Sequence, residues 1–354
     1  MSRYIRKVNA LADIHDLPNG AGIGYYSGRP YVNGAGQPQP LALDFSFGEK
    51  YWVDGDNGVD PATNALFDGR PFKTPTAAIS KAAAGDTIFI RPRPMAGGAS
   101  DPVSYAETLI IPAGKSLLRL VGFGSGPAQG AQPQIKKGAG SAAQLTIRSP
   151  GCQIVGLSIN GGDATGGGIL LDDDSGLPAA QGGETKSAFG TIIADCFFKN
   201  CEGATHAGTG GAIQWSANGG AWQVLISGCH LFKCRGGIVM KGTGIAIPKD
   251  VVIEDCTFDS DDRALIDCDI FAAADGINGL IIRRCAFGTV DVPGYGGAGA
   301  HARYIYLTGS VNGHISDCTF ACTGKTFGNG DAAVYPVTVR SAHCYQENAI
   351  ITRT

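Results

Sequence analysis

Ile193-Ala194-Asp195-Cys196-Phe197-Phe198 recurs as Ile226-Ser227-Gly228-Cys229-His230-Leu231, Ile253-Glu254-Asp255-Cys256-Thr257-Phe258, Ile282-Arg283-Arg284-Cys285-Ala286-Phe287 and Ile315-Ser316-Asp317-Cys318-Thr319-Phe320. A cysteine-free copy, Ile154-Val155-Gly156-Leu157-Ser158-Ile159, precedes them. The centres lie 39, 33, 27, 29 and 33 residues apart. A repeat of this size with variable spacing is a solenoid whose insertions fall in loops. Within each copy the Ile and the central Cys are three residues apart, which on a straight strand puts them on opposite faces. Both positions are apolar throughout, so the chain must bend between them. The residue before the Cys is Gly156, Asp195, Gly228, Asp255, Arg284 or Asp317. Gly and Asp tolerate the left-handed conformation such a bend needs; Arg284 is strained there.

Each copy is therefore two short strands joined by a sharp bend. A third strand precedes the next copy: Gly168-Ile169-Leu170-Leu171, Ala212-Ile213-Gln214-Trp215, Gly237-Ile238-Val239-Met240, Ala264-Leu265-Ile266 and Tyr304-Ile305-Tyr306-Leu307. Three strands per coil, stacked in register, predict an all-β, right-handed, single-stranded parallel β-helix. Successive coils lie about 4.8 Å apart. The Ile positions become one internal column, the Phe198–Phe320 positions an aromatic-rich one, and Cys196, Cys229, Cys256, Cys285 and Cys318 a thiol column. Cys201 and Cys234 begin a second thiol column.

Upstream, Thr74 fits a helix N-cap and Pro75 the first helical position. Thr76 to Ala84 is Ala-rich helix, with Gly85 as its C-terminal cap. This helix is expected to close the open end of the solenoid and protect its first edge. Asp86-Thr87-Ile88-Phe89-Ile90 is the first strand. Pro71-Phe72-Lys73-Thr74, the Ala-rich helix, Gly85-Asp86-Thr87-Ile88 and Tyr105-Ala106-Glu107-Thr108-Leu109 together resemble the entry to the pectate-lyase-like β-helix proteins. The resemblance covers roughly residues 50–350. That superfamily includes polysaccharide lyases, glycoside hydrolases and bacteriophage tailspikes, so the resemblance implies a fold rather than one activity. Its tailspike members imply a homotrimer.

Residues 1–46 do not fit the repeat and form an extended N-terminal arm; the β-helix occupies 47–354. Asn19-Gly20-Ala21-Gly22-Ile23-Gly24 and Gly34-Ala35-Gly36-Gln37-Pro38-Gln39-Pro40 are linker-like. Tyr25, Tyr26, Tyr31 and Val32 supply apolar contact groups, and the arm is expected to serve assembly. Met1-Ser2-Arg3-Tyr4-Ile5-Arg6-Lys7 lacks the apolar core of a secretory signal. The expectation is a protein made in a host cytoplasm and carried in a virion.

Of the 354 residues, 54 are Gly, about twice the usual share, and charged residues are 17%. Both suit tight bends in a stacked β-architecture. The net charge of -3 gives no basic footprint for nucleic acid. No apolar run reaches transmembrane length. The eleven cysteines follow the coil repeat instead of zinc-site spacing. They read as small buried hydrophobes, with disulfides between stacked neighbours as the alternative.

Six residues after the central Cys stand Glu202, Arg235, Asp262 and Asp291. If loop lengths preserve the register, these stack on one outer face. Paired carboxylates about 5 Å apart suit retaining glycoside hydrolysis, and wider pairs suit inversion. Glu202, Asp262 and Asp291 are thus the candidate catalytic groups, with Arg235 as charge partner. A solvated charge column accounts for the same pattern. Ser260-Asp261-Asp262 resembles the adjacent aspartates of polygalacturonase-like hydrolases, but the Gly-His-Gly, the Arg-x-Lys and the pectate-lyase arginine motif are missing. Asp172-Asp173-Asp174 and Asp267/Asp269 carry oxygen ligands of the calcium type, yet lie about three coils apart. The six histidines show no metal spacing, and no cofactor is expected. Trp215 and Trp222 flank Ser216-Ala217-Asn218-Gly219-Gly220 and are candidate sugar-stacking groups. The leading expectation is a bacteriophage structural protein, a decoration, tailspike-like or fibre component that contacts other virion proteins and a host surface polysaccharide. The alternative is a glycoside hydrolase or lyase acting on that polysaccharide, and a third reading is a non-catalytic carbohydrate-binding adhesin.

Overall fold

The structure is a computed structural model. It describes residues 22–26, 29–34, 37–40, 48–60, 70–95, 101–124, 132–136, 140–162, 166–172, 187–201, 210–216, 221–242, 247–260, 268–289, 303–321, 333–334, 339–346 and 349–353. The chain divides into two units, Met1–Ser46 and Phe47–Thr354.

The larger unit is a right-handed parallel β-helix. One face runs through Lys50–Val53, Thr87–Ile90, Arg119–Gly122, Gln153–Val155, Ile192–Ala194, Leu225–Ser227 and Val252–Glu254. It continues into the C-terminal parts of Cys268–Arg283 and Arg303–Ser316. The isoleucine column is in register: Ile154 pairs with Ile193, Ile193 with Ile226, Ile226 with Ile253, Ile253 with Ile282, and Ile282 with Ile315. Leu120 and Ile88 extend it toward the N-terminus. On the second face Ile159, Phe198, Leu231, Phe258, Phe287 and Phe320 stack in turn. The rings of Phe258, Phe287 and Phe320 are nearly parallel, with centroids 4.8 Å apart at each step. On the third face Leu145, Ile169, Ile213, Ile238, Ile270 and Ile305 line up. All these side chains are buried in one continuous core.

The bend between the first two faces has the conformation its residues imply. Gly156, Asp195, Gly228, Asp255, Arg284 and Asp317 all have positive φ, between 53° and 67°. The backbone N–H of each bonds to the coil that follows it, as in Asp195 to Ser227 O (2.9 Å) and Asp255 to Arg283 O (3.2 Å). Arg284, the residue least suited to this conformation, gains ion pairs to Asp255 (2.8 Å) and Glu254 (3.1 Å). These contacts offset a backbone cost of about 1–2 kcal/mol. A seventh bend lies at His343, with φ 53°. Its coil, Ser341-Ala342-His343-Cys344-Tyr345-Gln346, escapes the sequence pattern because Ser341 replaces Ile and Gln346 replaces Phe, although the register is kept.

Five expectations need correction. The first strand of the β-helix is not Asp86–Ile90: Lys50–Val53 lies one rung before Thr87–Ile90. The third-face strand expected at Ala264–Ile266 is instead at Cys268–Arg283, with Ile270 beside Ile238; residues 264–266 lie outside the described ones. That strand runs unbroken into the next first-face strand, so periodicity alone did not locate its start. Helix α1 spans Pro75–Lys81 and stops short of Ala84. Thr74 caps its start as expected, accepting from Ala77 N at 3.3 Å. Its end is set by tertiary contacts: Lys115 donates to Ser80 O and Ala82 O, and Asp86 accepts from Ala83 N. Gly85, with φ +85°, serves the turn after the helix and is not its cap. Ala78, Ile79 and Ala82 are buried against the first strands, so α1 closes the end of the core. Finally, residues 22–24, 34 and 37–40, within the two stretches expected to be linker-like, lie in strands. Gly22–Tyr26, Arg29–Gly34 and Gln37–Pro40 form a three-stranded antiparallel sheet. Within it Tyr25 pairs with Pro30, Tyr26 with Arg29, Tyr31 with Gly24 and Pro40, and Val32 with Ile23 and Gln39.

The ten described cysteines are buried and unbonded. Each column thiol bonds the carbonyl two residues before it, from Cys196 to Ala194 O (3.3 Å) through Cys318 to Ser316 O (3.2 Å). A small apolar side chain with a weak donor fits the inside of a bend that brings carbonyls close.

At the N-terminal end, Asp54 organises the turn after the first strand. Its carboxylate accepts from Asp56 N, Asn57 N, Asn57 Nδ2 and Arg91. Burial opposes its ionisation, but these bonds outweigh burial and hold the carboxyl down at about 2.

Two outcomes follow. Phe287→Ala removes the middle ring of the stack and is expected to cost about 3–5 kcal/mol, measured by denaturant unfolding of the full chain. Because the folded pKa of Asp54 lies below the unfolded carboxylate value, its contribution is present above roughly pH 4 and lost as pH falls through about 2. The stability gap between wild type and Asp54→Asn should be constant near neutral pH and close across that acid window.

Candidate functional site

Alternation along the first strands decides which side chains face outward. In Lys50–Val53, Val53 points into the core and Trp52 out; in Thr87–Ile90, Ile88 and Ile90 point in and Phe89 out. Trp52 and Phe89 are rung neighbours, and their rings stack with centroids 4.7 Å apart. Phe123 follows Gly122 and leans on Trp52 at 5.9 Å. A side chain at position 122 would strike Gly156 O, so a glycine brings the two backbones close beneath Phe123. Trp52 is 49% and Phe123 59% exposed. Grouped, exposed aromatic rings mark a contact surface more reliably than single ones.

Polar groups border these rings. Arg91, two residues beyond Phe89, pairs with Asp54 at 2.7 Å, while its side chain stays 62% exposed. Its remaining N–H donors face solvent in a fixed fork. Arg93 pairs with Asp56 at 3.0 Å and lies over the Tyr105 ring. The Tyr105 hydroxyl donates to Arg91 O (2.7 Å) and accepts from Gly55 N (3.2 Å). Burial pushes that phenol up to about 12, so it stays a neutral donor. The arrangement is an apolar platform of three rings with a rigidly seated guanidinium at its edge. It can take a ring with one apolar face and polar edges. No sequence motif marks it, although an aromatic at the outward position of two consecutive first-face strands was the available signal.

The residues singled out from sequence fall elsewhere. Glu202, Asp262 and Asp291 lie outside the described residues. Of the four groups expected on one face, Arg235 alone is among the described residues. Arg235 N bonds Cys201 O, and Arg235 O accepts from Cys268 N, both at 3.1 Å, so Cys268 occupies the next rung. After Phe232 the chain turns through Lys233 directly into Gly236–Gly242, whereas after Ser260 a longer connection intervenes before Cys268. Trp215 is 1% exposed and donates its indole N–H to Ala221 O, so it offers no ring to a ligand. Trp222 is half-buried at a corner, between the Phe189 ring (5.8 Å) and the Lys249 ammonium (5.9 Å). Asp172 pairs with Arg148, and its strand lies three rungs from that of Asp269. No cluster of three or more potential metal ligands occurs among the described residues.

No family model matches the chain, and no curated protein does. Among solved structures, it is similar to Escherichia coli YbhC at 11% identity, covering 92% of this chain and 90% of that one, with a TM-score of 0.46. An alginate lyase from Paenibacillus is 14% identical over 77% and 92% of the two chains, with a TM-score of 0.43. The pectin methylesterase of Aspergillus niger is 10% identical over 83% and 89%, with a TM-score of 0.41. Likeness at this level carries no argument about activity; the fold assignment rests on the chain's own strand register.

Proposed function

We propose that this chain is a polysaccharide-recognition protein that meets its ligand on the outer face of its first coils. The observation that carries this is the ring group of exposed Trp52 and Phe123 with half-buried Phe89, beside Arg91. A pyranose has an apolar face that an aromatic ring covers and equatorial hydroxyls that a guanidinium fork can bond. The β-helix core holds both partners at fixed spacing, so little conformational entropy is lost on binding. The setting we propose is a particle surface, with residues 1–46 as the assembly segment. A three-stranded antiparallel sheet in a segment of that length is too small to supply much core of its own, which favours a packing partner.

One observation keeps a cleaving enzyme as the second reading. Ser260 pairs with Thr289, so the strands that lead to Asp262 and Asp291 are in register, and each carboxylate lies two residues beyond that rung. Two acids following matched strands suit glycoside chemistry.

The tests are separate. Full-length protein is screened against immobilised bacterial capsular polysaccharides and lipopolysaccharide O-chains. The double variant Trp52→Ala, Phe123→Ala should lose at least about tenfold in affinity, about 1.4 kcal/mol, while its unfolding midpoint changes little. Undiminished binding removes the platform as the site. For the enzyme reading, reducing-end release from the bound polysaccharide should vanish in Asp262→Asn with binding retained; persisting release rules out that residue.

A further inference from the structure

Cys196, Cys229, Cys256, Cys285, Cys318 and Cys344 occupy one internal column on consecutive coils. The carbonyl of each accepts the N–H that follows the next cysteine, from His230 N on Cys196 O to Tyr345 N on Cys318 O. Neighbours are therefore one rung apart, about 4.8 Å, inside the Cα separation a disulfide spans, roughly 4.4–6.8 Å. Side-chain direction agrees. Cys229, Cys256, Cys285 and Cys344 each lean back toward the preceding coil, with Sγ 3.7–3.9 Å from the carbonyls of Ile193, Ile226, Ile253 and Ile315. All six are essentially inaccessible to solvent.

We propose that this thiol column is a latent staple: oxidation joins neighbouring members as disulfides that tie successive coils together, beginning at Cys318–Cys344. The starting point follows from solenoid mechanics. Each coil touches only its neighbours, so terminal coils open at least cost, and a buried thiol reacts only when its coil opens. Among the described residues, Cys344 lies on the last parallel rung of the first face, and only the antiparallel strand Ala349–Arg353, with Ile351 paired to Cys344, follows it. The interior pairs have coils on both sides. The oxidant is a hydroperoxide. One thiolate sulfur attacks peroxide oxygen, the O–O bond breaks, and hydroxide leaves to give a sulfenic acid. The neighbouring thiol then attacks that sulfur and expels water. Overall two thiols lose two protons and two electrons, and hydrogen peroxide becomes two waters. The neighbouring Cys285 thiol and, after it, burial push the Cys318 thiol up to about 12, which makes the reaction slow and dependent on opening. The staple closes a loop of one coil, so it stabilises by restricting the unfolded chain. This proposal is independent of the polysaccharide reading.

The test treats full-length folded protein with hydrogen peroxide, quenches with iodoacetamide at intervals, and maps peptides without reduction. The expected result is a Cys318–Cys344 linkage first, later linkages only between consecutive members, and an unfolding midpoint that rises and returns on reduction with dithiothreitol. Cys344→Ser should redirect the first linkage to Cys285–Cys318. Linkages between non-neighbours, an interior pair reacting first, or conversion to sulfonic acids without any linkage would each overturn it. If the variant does not fold, the wild-type peptide map decides alone.

Discussion

The left-handed residue between the isoleucine and the cysteine of each coil is the constraint on which the other features depend. Without it, two apolar positions three apart would face opposite sides of a strand. With it, both point inward, and the phase is reset once per coil at the same place. Every inward column, aliphatic, aromatic and thiol, inherits its register from that reset. Where the residue is Gly or Asp the conformation is cheap. Where it is Arg284, the carboxylates of Asp255 and Glu254 hold it. The stacked rings of Phe258, Phe287 and Phe320 then add about 0.5–1.5 kcal/mol per step beyond their burial.

A core set by columns leaves the outside free. Connections between faces vary in length because no inward position depends on them, and this is why a site predicted by counting from the cysteine was vulnerable. The connection after Ser260 is longer than the one after Phe232, yet Ile270 and Phe287 keep their rungs. Outward positions on the strands themselves are better anchored. Trp52 and Phe89 share a rung because their inward neighbours do, so the aromatic platform has the rigidity of the core beneath it. Asp54, Arg91 and Tyr105 brace the same coils from the polar side, and α1 closes their open end.

The cysteines show how one residue type satisfies two demands. At the inside of the bend the side chain must be small enough for two close backbones and able to meet a carbonyl. A thiol does both, repeated coil by coil. The same repetition stacks reactive groups at a spacing that chemistry can bridge, so a packing solution carries a redox consequence.

Sequence alone determined the fold class, the isoleucine and phenylalanine columns, the bend residues and the N-cap of α1. Each is a local pattern repeated often enough to be unambiguous. It did not reveal the coil of Cys344, where Ser341 and Gln346 break the pattern, nor the end of α1, which Lys115 and Asp86 set from distant positions. It read residues 19–24 and 34–40 as linker-like from their Gly and Pro content, although residues 22–24 and 37–40 pair in antiparallel strands. The burial of Trp215 and the exposure of Trp52 were decided only by tertiary structure. Both are tryptophans on short strands of alternating pattern, and the difference lies in which face of the strand each occupies and what packs over it. Inward columns are legible because stacking repeats them; an outer surface is not, because its neighbours come from loops whose lengths the repeat leaves free.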